Sequence, residues 1–151
     1  MPLPRYPSTF HILLVEDNPA DVNLLSECLR EAAVPHQLHV TANGEEALEF
    51  LCRQGDYVNA PRPHLILLDL NLPRKSGHEV LEELKRDALL HNIPVIVLSS
   101  SANECDVGRA YDLHANCYIQ KPFELDSFVR VIHAIQDFWV RIAQLPPPET
   151  G

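Results

Sequence analysis

The sequence predicts an α/β domain, a doubly wound parallel five-stranded sheet. Three observations predict it. Short apolar runs alternate five times with stretches of helical spacing. The first, third and fourth runs are apolar almost throughout, as strands covered on both faces are. A helical stretch separates each run from the next, the kind of connection parallel strands require. Right-handed crossovers then lay helices on both faces of the sheet.

Each element has its own signal. Residues 1–9, "MPLPRYPST", carry three prolines and read as an N-terminal arm. "FHILLV" is the first strand and ends at "EDN". Asn18 stands as N-cap and Pro19 at the first helical turn, where a missing N–H costs nothing. Val22, Leu25, Leu29 and Ala32 then share one helix face. "QLHVTA" alternates as a shorter second strand. In "NGEEALEFLCRQG", Ala47, Leu48, Leu51 and Cys52 fall at helical spacing, with Gly55 placed as a C-cap glycine. "DYVNAPRP" is a loop and "HLILLDL" the third strand. "GHEVLEELKRD" is a helix with Val80, Leu81 and Leu84 inward. "IPVIVLSSS" is the fourth strand, and "ECDVGRAYDL" a weaker helix interrupted by Gly108. "CYIQKP" is the fifth strand, cut off by Pro122. A long last helix runs from about Leu125 to about Ala143, and residues 144–151 form a C-terminal tail.

The bulk numbers fit one domain. The chain has 151 residues, enough to bury about 68–70% of its unfolded surface. Its apolar (46%) and charged (22%) fractions are those of a globular protein. A net charge of -9 argues against the Lys/Arg footprint of a nucleic-acid binder. It suits a protein partner or a bound cation. Cys28, Cys52, Cys105 and Cys117 form no CxxC pair and read as reduced, mostly buried thiols of a cytoplasmic protein. No apolar run approaches the ~20 residues of a membrane span, and no secretory leader is visible. The eight histidines read mostly as surface residues; His36 and His39 are near neighbours but do not make a convincing metal-ligand set.

Chemistry collects at the strand ends. Strand one ends on Glu16 and Asp17, strand three on Asp69, strand four on Ser99, strand five on Lys121. In a doubly wound sheet these tips form the functional crevice. Three carboxylates there repel one another and need a cation or a proton. Mg²⁺ suits such an oxygen site, with Asp17 and Asp69 as direct ligands, Glu16 through water and the Asn71 backbone carbonyl as another oxygen. Lys121 adds positive charge beside Asp69. The set fits an incoming phosphoryl group, whose transfer rests on positioning and charge neutralisation. Each signal has a plainer reading: Glu16-Asp17 as a helix N-terminal charge pair, Ser99 as a turn residue, Lys121-Pro122 as a loop. Their coincidence at four strand ends carries the inference.

"LLVEDNPAD", "LILLDLNLPRKSGHEVL", "IPVIVLSSS" and "YIQKPF" closely resemble the receiver domain of two-component response regulators, over roughly residues 10–135. Ser99 and Lys121 lie 30 and 52 positions after Asp69, as the family's spacing requires. The resemblance implies a flavodoxin-like (βα)₅ fold of strand order 2-1-3-4-5, with the domain spanning residues 10–143. It implies that Asp69 is the phosphoacceptor, receiving a phosphoryl group from a phosphohistidine on a sensor histidine kinase. Asp17, Asp69 and the Asn71 carbonyl then hold Mg²⁺, assisted by Glu16. Ser99 is the switch hydroxyl, Lys121 pairs with the phosphoryl group and its bond to Pro122 is expected to be cis, and Tyr118 is the aromatic switch. Tyr118 also reads as an ordinary edge-strand residue. The acidic pair is Glu-Asp instead of the commoner Asp-Asp. His114 stands where many receivers have Gly, so either it takes positive φ or the loop differs.

"YDLHANCYIQKP", "GDYVNAPRP" and "IQDFWVRIAQLP" resemble the small receiver-only regulators that partner bacterial phytochromes. With about ten residues before the fold and fewer than ten after it, no output domain is expected. The signal then leaves by protein contact, or onward as a phosphorelay intermediate, and no enzyme activity beyond self-phosphorylation and dephosphorylation is expected. On the last helix Phe128, Ile132, Ile135, Trp139 and Ile142 form one stripe. Val131, Phe138 and Leu145 form a second beside it. The extra stripe, with Trp139, reads as a homodimer or partner face, or as a wide core face closed by the tail. Two other classes fit less well. An Asp-nucleophile phosphatase of the haloacid dehalogenase type needs a second Asp where Asn71 stands. A flavin binder needs a Gly/Ser/Thr-rich loop where "EDNPAD" stands.

Overall fold

The computed structural model describes residues 9–31 and 36–146. Ala32, most of the N-terminal arm and the end of the tail lie outside them. The elements follow in the order β1 (Phe10–Val15), α1 (Pro19–Arg30), β2 (His36–Thr41), α2 (Gly44–Cys52), β3 (Leu65–Leu68), α3 (Gly77–Arg86), β4 (Val95–Ser99), α4 (Glu104–Asp112), β5 (Cys117–Gln120) and α5 (Leu125–Ile135). A 3₁₀ turn, Gly55–Tyr57, follows α2, and a π-helical segment, Gln136–Ile142, continues α5. All strand pairs are parallel, in the order β2-β1-β3-β4-β5. This is the doubly wound order expected.

The strands' two-residue period sorts the core into two layers. Leu13, Val15, Ile66, Leu68, Val95 and Val97 meet Ala47, Phe50, Val80, Leu81 and Leu84 on one face. Ile12, Leu14, Leu65, Leu67, Ile96 and Leu98 meet Leu25, Leu29, Phe128, Ile132 and Ile135 on the other. Full burial of such a side chain contributes about 1.5–3 kcal/mol. Helix starts are specified by side-chain caps. Asn18 accepts from the Ala20 N–H at 2.9 Å, Asn43 from Glu46 at 2.9 Å, and Ser76 from Glu79 at 3.3 Å. Such a cap is worth about 1 kcal/mol.

Several local expectations need correction. α2 ends at Cys52, which is exposed, while Phe50 turns inward instead. Its left-handed cap is Arg53 (φ 56°), not Gly55, because the Arg53 and Gln54 N–H groups close back onto the last turn. Gly108 does not interrupt α4, which runs through it. Of the four thiols only Cys28 is buried; Cys52 and Cys105 lie on exposed helix faces and Cys117 is half-buried. No peptide bond among the described residues is cis, so Lys121–Pro122 is trans, the isomer favoured by about 0.5–1 kcal/mol. His114 does take positive φ, 71°.

The last helix differs most. Past Ile135 it widens to π geometry, sealed by an Ala143 N–H bond to the Phe138 carbonyl at 2.7 Å. A π turn advances by i→i+5 instead of i→i+4. Val140, five residues after Ile135, is therefore buried, and Ile142 is 71% exposed. The histidines are also not all superficial. His78 is buried. His11, His39 and His64 form a cluster at the end of the sheet opposite the strand tips. His11 and His39 ring nitrogens lie 3.0 Å apart, and the His11 and His64 rings stack. Proximity in space, not in sequence, creates this cluster.

Candidate functional site

Main-chain bonds carry the sheet ladder one step past the strand ends and so set the site. The Asp69 N–H donates to the Val15 carbonyl at 3.1 Å, the Glu16 N–H to Thr41 at 3.0 Å, and the Lys121 N–H to Ser99 at 2.7 Å. Glu16, Asp69, Ser99 and Lys121 thereby converge at one edge, each less than a tenth exposed. The loop after β3 folds back tightly, with the Gly77 N–H on the Leu70 carbonyl at 3.0 Å. A Cβ at Gly77 would run into the Asp69 carbonyl and the Leu70 Cα. Glycine there is what allows α3 to start directly beneath Asp69.

Lys121 Nζ sits among three carboxylates. It donates to Glu16 Oε2 at 2.5 Å, Asp21 Oδ2 at 2.9 Å and Asp69 Oδ2 at 3.2 Å. The remaining oxygens take backbone donors: Glu16 Oε1 the Asn18 N–H at 3.1 Å, and Asp69 Oδ1 the Asn71 N–H at 3.2 Å. Carboxylate oxygens of Glu16, Asp17 and Asp69 lie within 4.8 Å of one another. Asp17 is the exposed member.

The electrostatics show a site short of positive charge. Burial, with the Asp69 charge beside it, pushes the Glu16 carboxyl up to about 7 against the pull of Lys121. Burial works against the Lys121 ammonium, but its hydrogen bonds to Glu16 and Asp21 outweigh that, and its pKa lies above the ordinary lysine value. Lys121 stays charged and is still outnumbered. A hard cation with oxygen ligands answers that deficit, so the donor set fits Mg²⁺. When bound, Mg²⁺ supplies the positive charge that the carboxylates and an incoming phosphoryl group need.

Ser99 is fully buried, and its Oγ accepts the Ser101 N–H at 3.3 Å. The Tyr118 hydroxyl donates to the Ser101 carbonyl at 2.7 Å, so both groups grip one residue of the β4–α4 loop. On the last helix, Val131, Trp139 and Leu145 pack against the α1/α5 core layer. Two of the second stripe's three members, Val131 and Leu145, thus lie against the chain's own core. Phe138, edge-on to Trp139 at 5.3 Å, stays 52% exposed.

Reasoning from strand ends missed Asp21. It sits in the first turn of α1, yet its carboxylate reaches Lys121. The signal was present in "EDNPAD", whose third acid falls one helical turn after the Glu16-Asp17 pair.

Residues 12–133 match the family model of the response regulator receiver domain. The chain belongs to the response regulator receiver domain family. This receiver is 47% identical over 135 residues to Response regulator Rcp1 of Synechocystis sp., across 89% of this chain and 92% of that protein. It superposes on the phosphorylated cyanobacterial phytochrome response regulator RcpA with a TM-score of 0.90 and 49% identity, covering 92% of this chain and 99% of that one. The Mn²⁺-bound form of Rcp1 gives a TM-score of 0.89 and 46% identity, over 93% and 100% of the two chains. The protein is thus a two-component response regulator with a flavodoxin-like receiver fold. Among the described residues no helix is long and apolar enough to cross a membrane.

Proposed function

We propose that Asp69 is the phosphoacceptor of this receiver and that a sensor histidine kinase, of the bacteriophytochrome class, is its donor. The observation that carries the reading is the Asp69 carboxylate at a strand tip, with Lys121 Nζ at 3.2 Å and two more acids within metal-sharing distance. A carboxylate oxygen of Asp69 attacks the phosphorus of a kinase phosphohistidine. The P–N bond breaks, the electron pair and a proton go to the imidazole, and an acyl phosphate forms on Asp69. Lys121 pairs with the phosphoryl oxygens. Asp17, Asp69 and the Asn71 carbonyl, with Glu16 through water, hold Mg²⁺. The phytochrome partner rests on the likeness to RcpA, a phytochrome response regulator.

Ser99 and Tyr118 convert the event into a shape change. The Ser99 hydroxyl turning toward the phosphoryl group gives up the Ser101 N–H. Ser101 then shifts, and with it the carbonyl that anchors Tyr118. The protein acts in the cytoplasm, and its only catalysis is its own phosphorylation and dephosphorylation. The exposed Phe138 is the centre of a homodimer or partner face, with Val131, Trp139 and Leu145 supporting it from below. Sedimentation of a Phe138→Ser/Ile142→Ser variant checks this: a shift toward monomer supports it, and a parent monomeric with and without phosphorylation overturns it.

Incubation with Mg²⁺ and acetyl phosphate, followed by intact mass measurement, tests the phosphoacceptor. One phosphoryl adduct is expected, absent in Asp69→Asn. An adduct that survives in Asp69→Asn, or none in the parent with any donor, refutes the assignment.

A further inference from the structure

We infer that Asp21 is a positioning residue for Lys121, the anchor that holds the ammonium in place while Glu16 and Asp69 change partners. The inference rests on Asp69 being phosphorylated. An ammonium has three N–H donors, and all three of Lys121's are taken, by Glu16, Asp21 and Asp69. Two of those acceptors belong to the acidic trio that shares a cation. The third, Asp21, stands outside it.

The three partners have different fates. A cation at the trio competes with Lys121 for the Glu16 and Asp69 oxygens. Phosphorylation then turns an Asp69 oxygen into the bridging oxygen of an acyl phosphate, a much poorer acceptor. Neither event touches Asp21. Its backbone is fixed by the Asn18 cap, whose Oδ1 accepts from both the Ala20 and Asp21 N–H groups, at 2.9 and 3.4 Å. Its place in the first turn of α1 favours a negative charge. Its side chain is only 23% exposed, so the bond to Lys121 is partly shielded from water. With Asp21 in place, Lys121 pivots about one retained bond and directs a freed N–H at the phosphoryl oxygens. Without it, the long side chain loses its only permanent tether and spreads over several rotamers.

A double-mutant cycle tests this. Phosphorylation by acetyl phosphate at saturating Mg²⁺ is timed by intact mass for the parent, Asp21→Ala, Lys121→Met and the double variant. Asp21→Ala is expected to slow phosphorylation about ten-fold, the size of one lost hydrogen bond to a charged group. Its half-saturating Mg²⁺ concentration stays within about two-fold of the parent, as it must if Asp21 is no metal ligand. In the Lys121→Met background the Asp21→Ala substitution has no further effect. Asp21→Ala at the parent rate overturns the inference, as does an equal slowing in both backgrounds. So does a slowing that excess Mg²⁺ cures.

Where the Lys121→Met rate is too slow to time, thermal unfolding closes the same cycle. The Asp21→Ala shift in Tm must disappear or change sign once Lys121 is gone; an unchanged shift overturns the inference. A parent that accepts no phosphoryl group refutes the Asp69 reading instead, and the unfolding cycle still decides whether Asp21 anchors Lys121.

Discussion

Replacing Glu16 by Gln should make the metal-free protein more stable at pH 8 and leave it unchanged near pH 4.5. Glu16 is 3% exposed, and its carboxyl is pushed up from 4.5 to about 7 by burial and by Asp69. The folded state therefore holds the Glu16 proton more tightly than the unfolded chain does. By linkage, this stability is fully present below pH 4.5 and is lost as pH rises through about 7. The interval corresponds to about 3 kcal/mol. Gln keeps the shape and an acceptor oxygen for Lys121 but cannot ionise. The parent thus falls behind Glu16→Gln by about 3 kcal/mol between these limits, or roughly 6–12 °C in Tm for a chain of this size. Subtracting parent from variant cancels the titration of groups that do not interact with Glu16. The assay is thermal and urea unfolding in EDTA from pH 4.5 to 8, repeated with Mg²⁺. Excess Mg²⁺ should remove most of the gap, because a cation stabilises the ionised trio. A difference that stays flat with pH, or a variant less stable at pH 8, refutes the reasoning.

Other substitutions probe the frame. Gly77→Ala drives a Cβ into the Asp69 carbonyl and the Leu70 Cα. It should cost about 1–3 kcal/mol and slow phosphorylation as well, since the backbone that must yield carries Asp69; unfolding and intact mass read both effects. Val140→Ala should cost about 1–2 kcal/mol and Ile142→Ala less than about 0.5, because only Val140 is buried by the π turn. The reverse ranking in urea unfolding would mean a plain α-helix. Burial, and the neighbouring His11, hold the imidazoles of His39 and His64 below the ordinary 6.5, with Arg62 adding to the effect at His64. Their contribution is therefore present above about pH 6.5 and lost as pH falls through the lowered values. A His39→Gln/His64→Gln variant should lose less stability between pH 7 and 5 than the parent, measured by urea unfolding; equal losses would sink the idea.

The local code of this chain is strong, and the sequence alone determined most of the fold. Near-continuous apolar runs at β1, β3 and β4, helical spacing between them, and the Asn18 cap act over a few residues. They can be read without knowing what lies across the sheet. The strand tips were legible for the same reason: a carboxylate ending an apolar run, as Asp69 does, has no local excuse. What failed depends on packing. Cys52 and Phe50 both fit a helix face, and only the sheet decides which one turns inward. The π turn after Ile135 is chosen by the core layer that Val140 fills, not by any propensity of "QDFWVRI". His11, His39 and His64 meet because parallel pairing sets β2 and β3 on either side of β1. Asp21 reaches Lys121 across 100 positions of sequence, a pairing that no periodicity encodes. The sequence by itself determined which groups arrive at the edge of the sheet. The tertiary structure decided which of them share Lys121, because hydrogen bonds and charge are settled by distance in space.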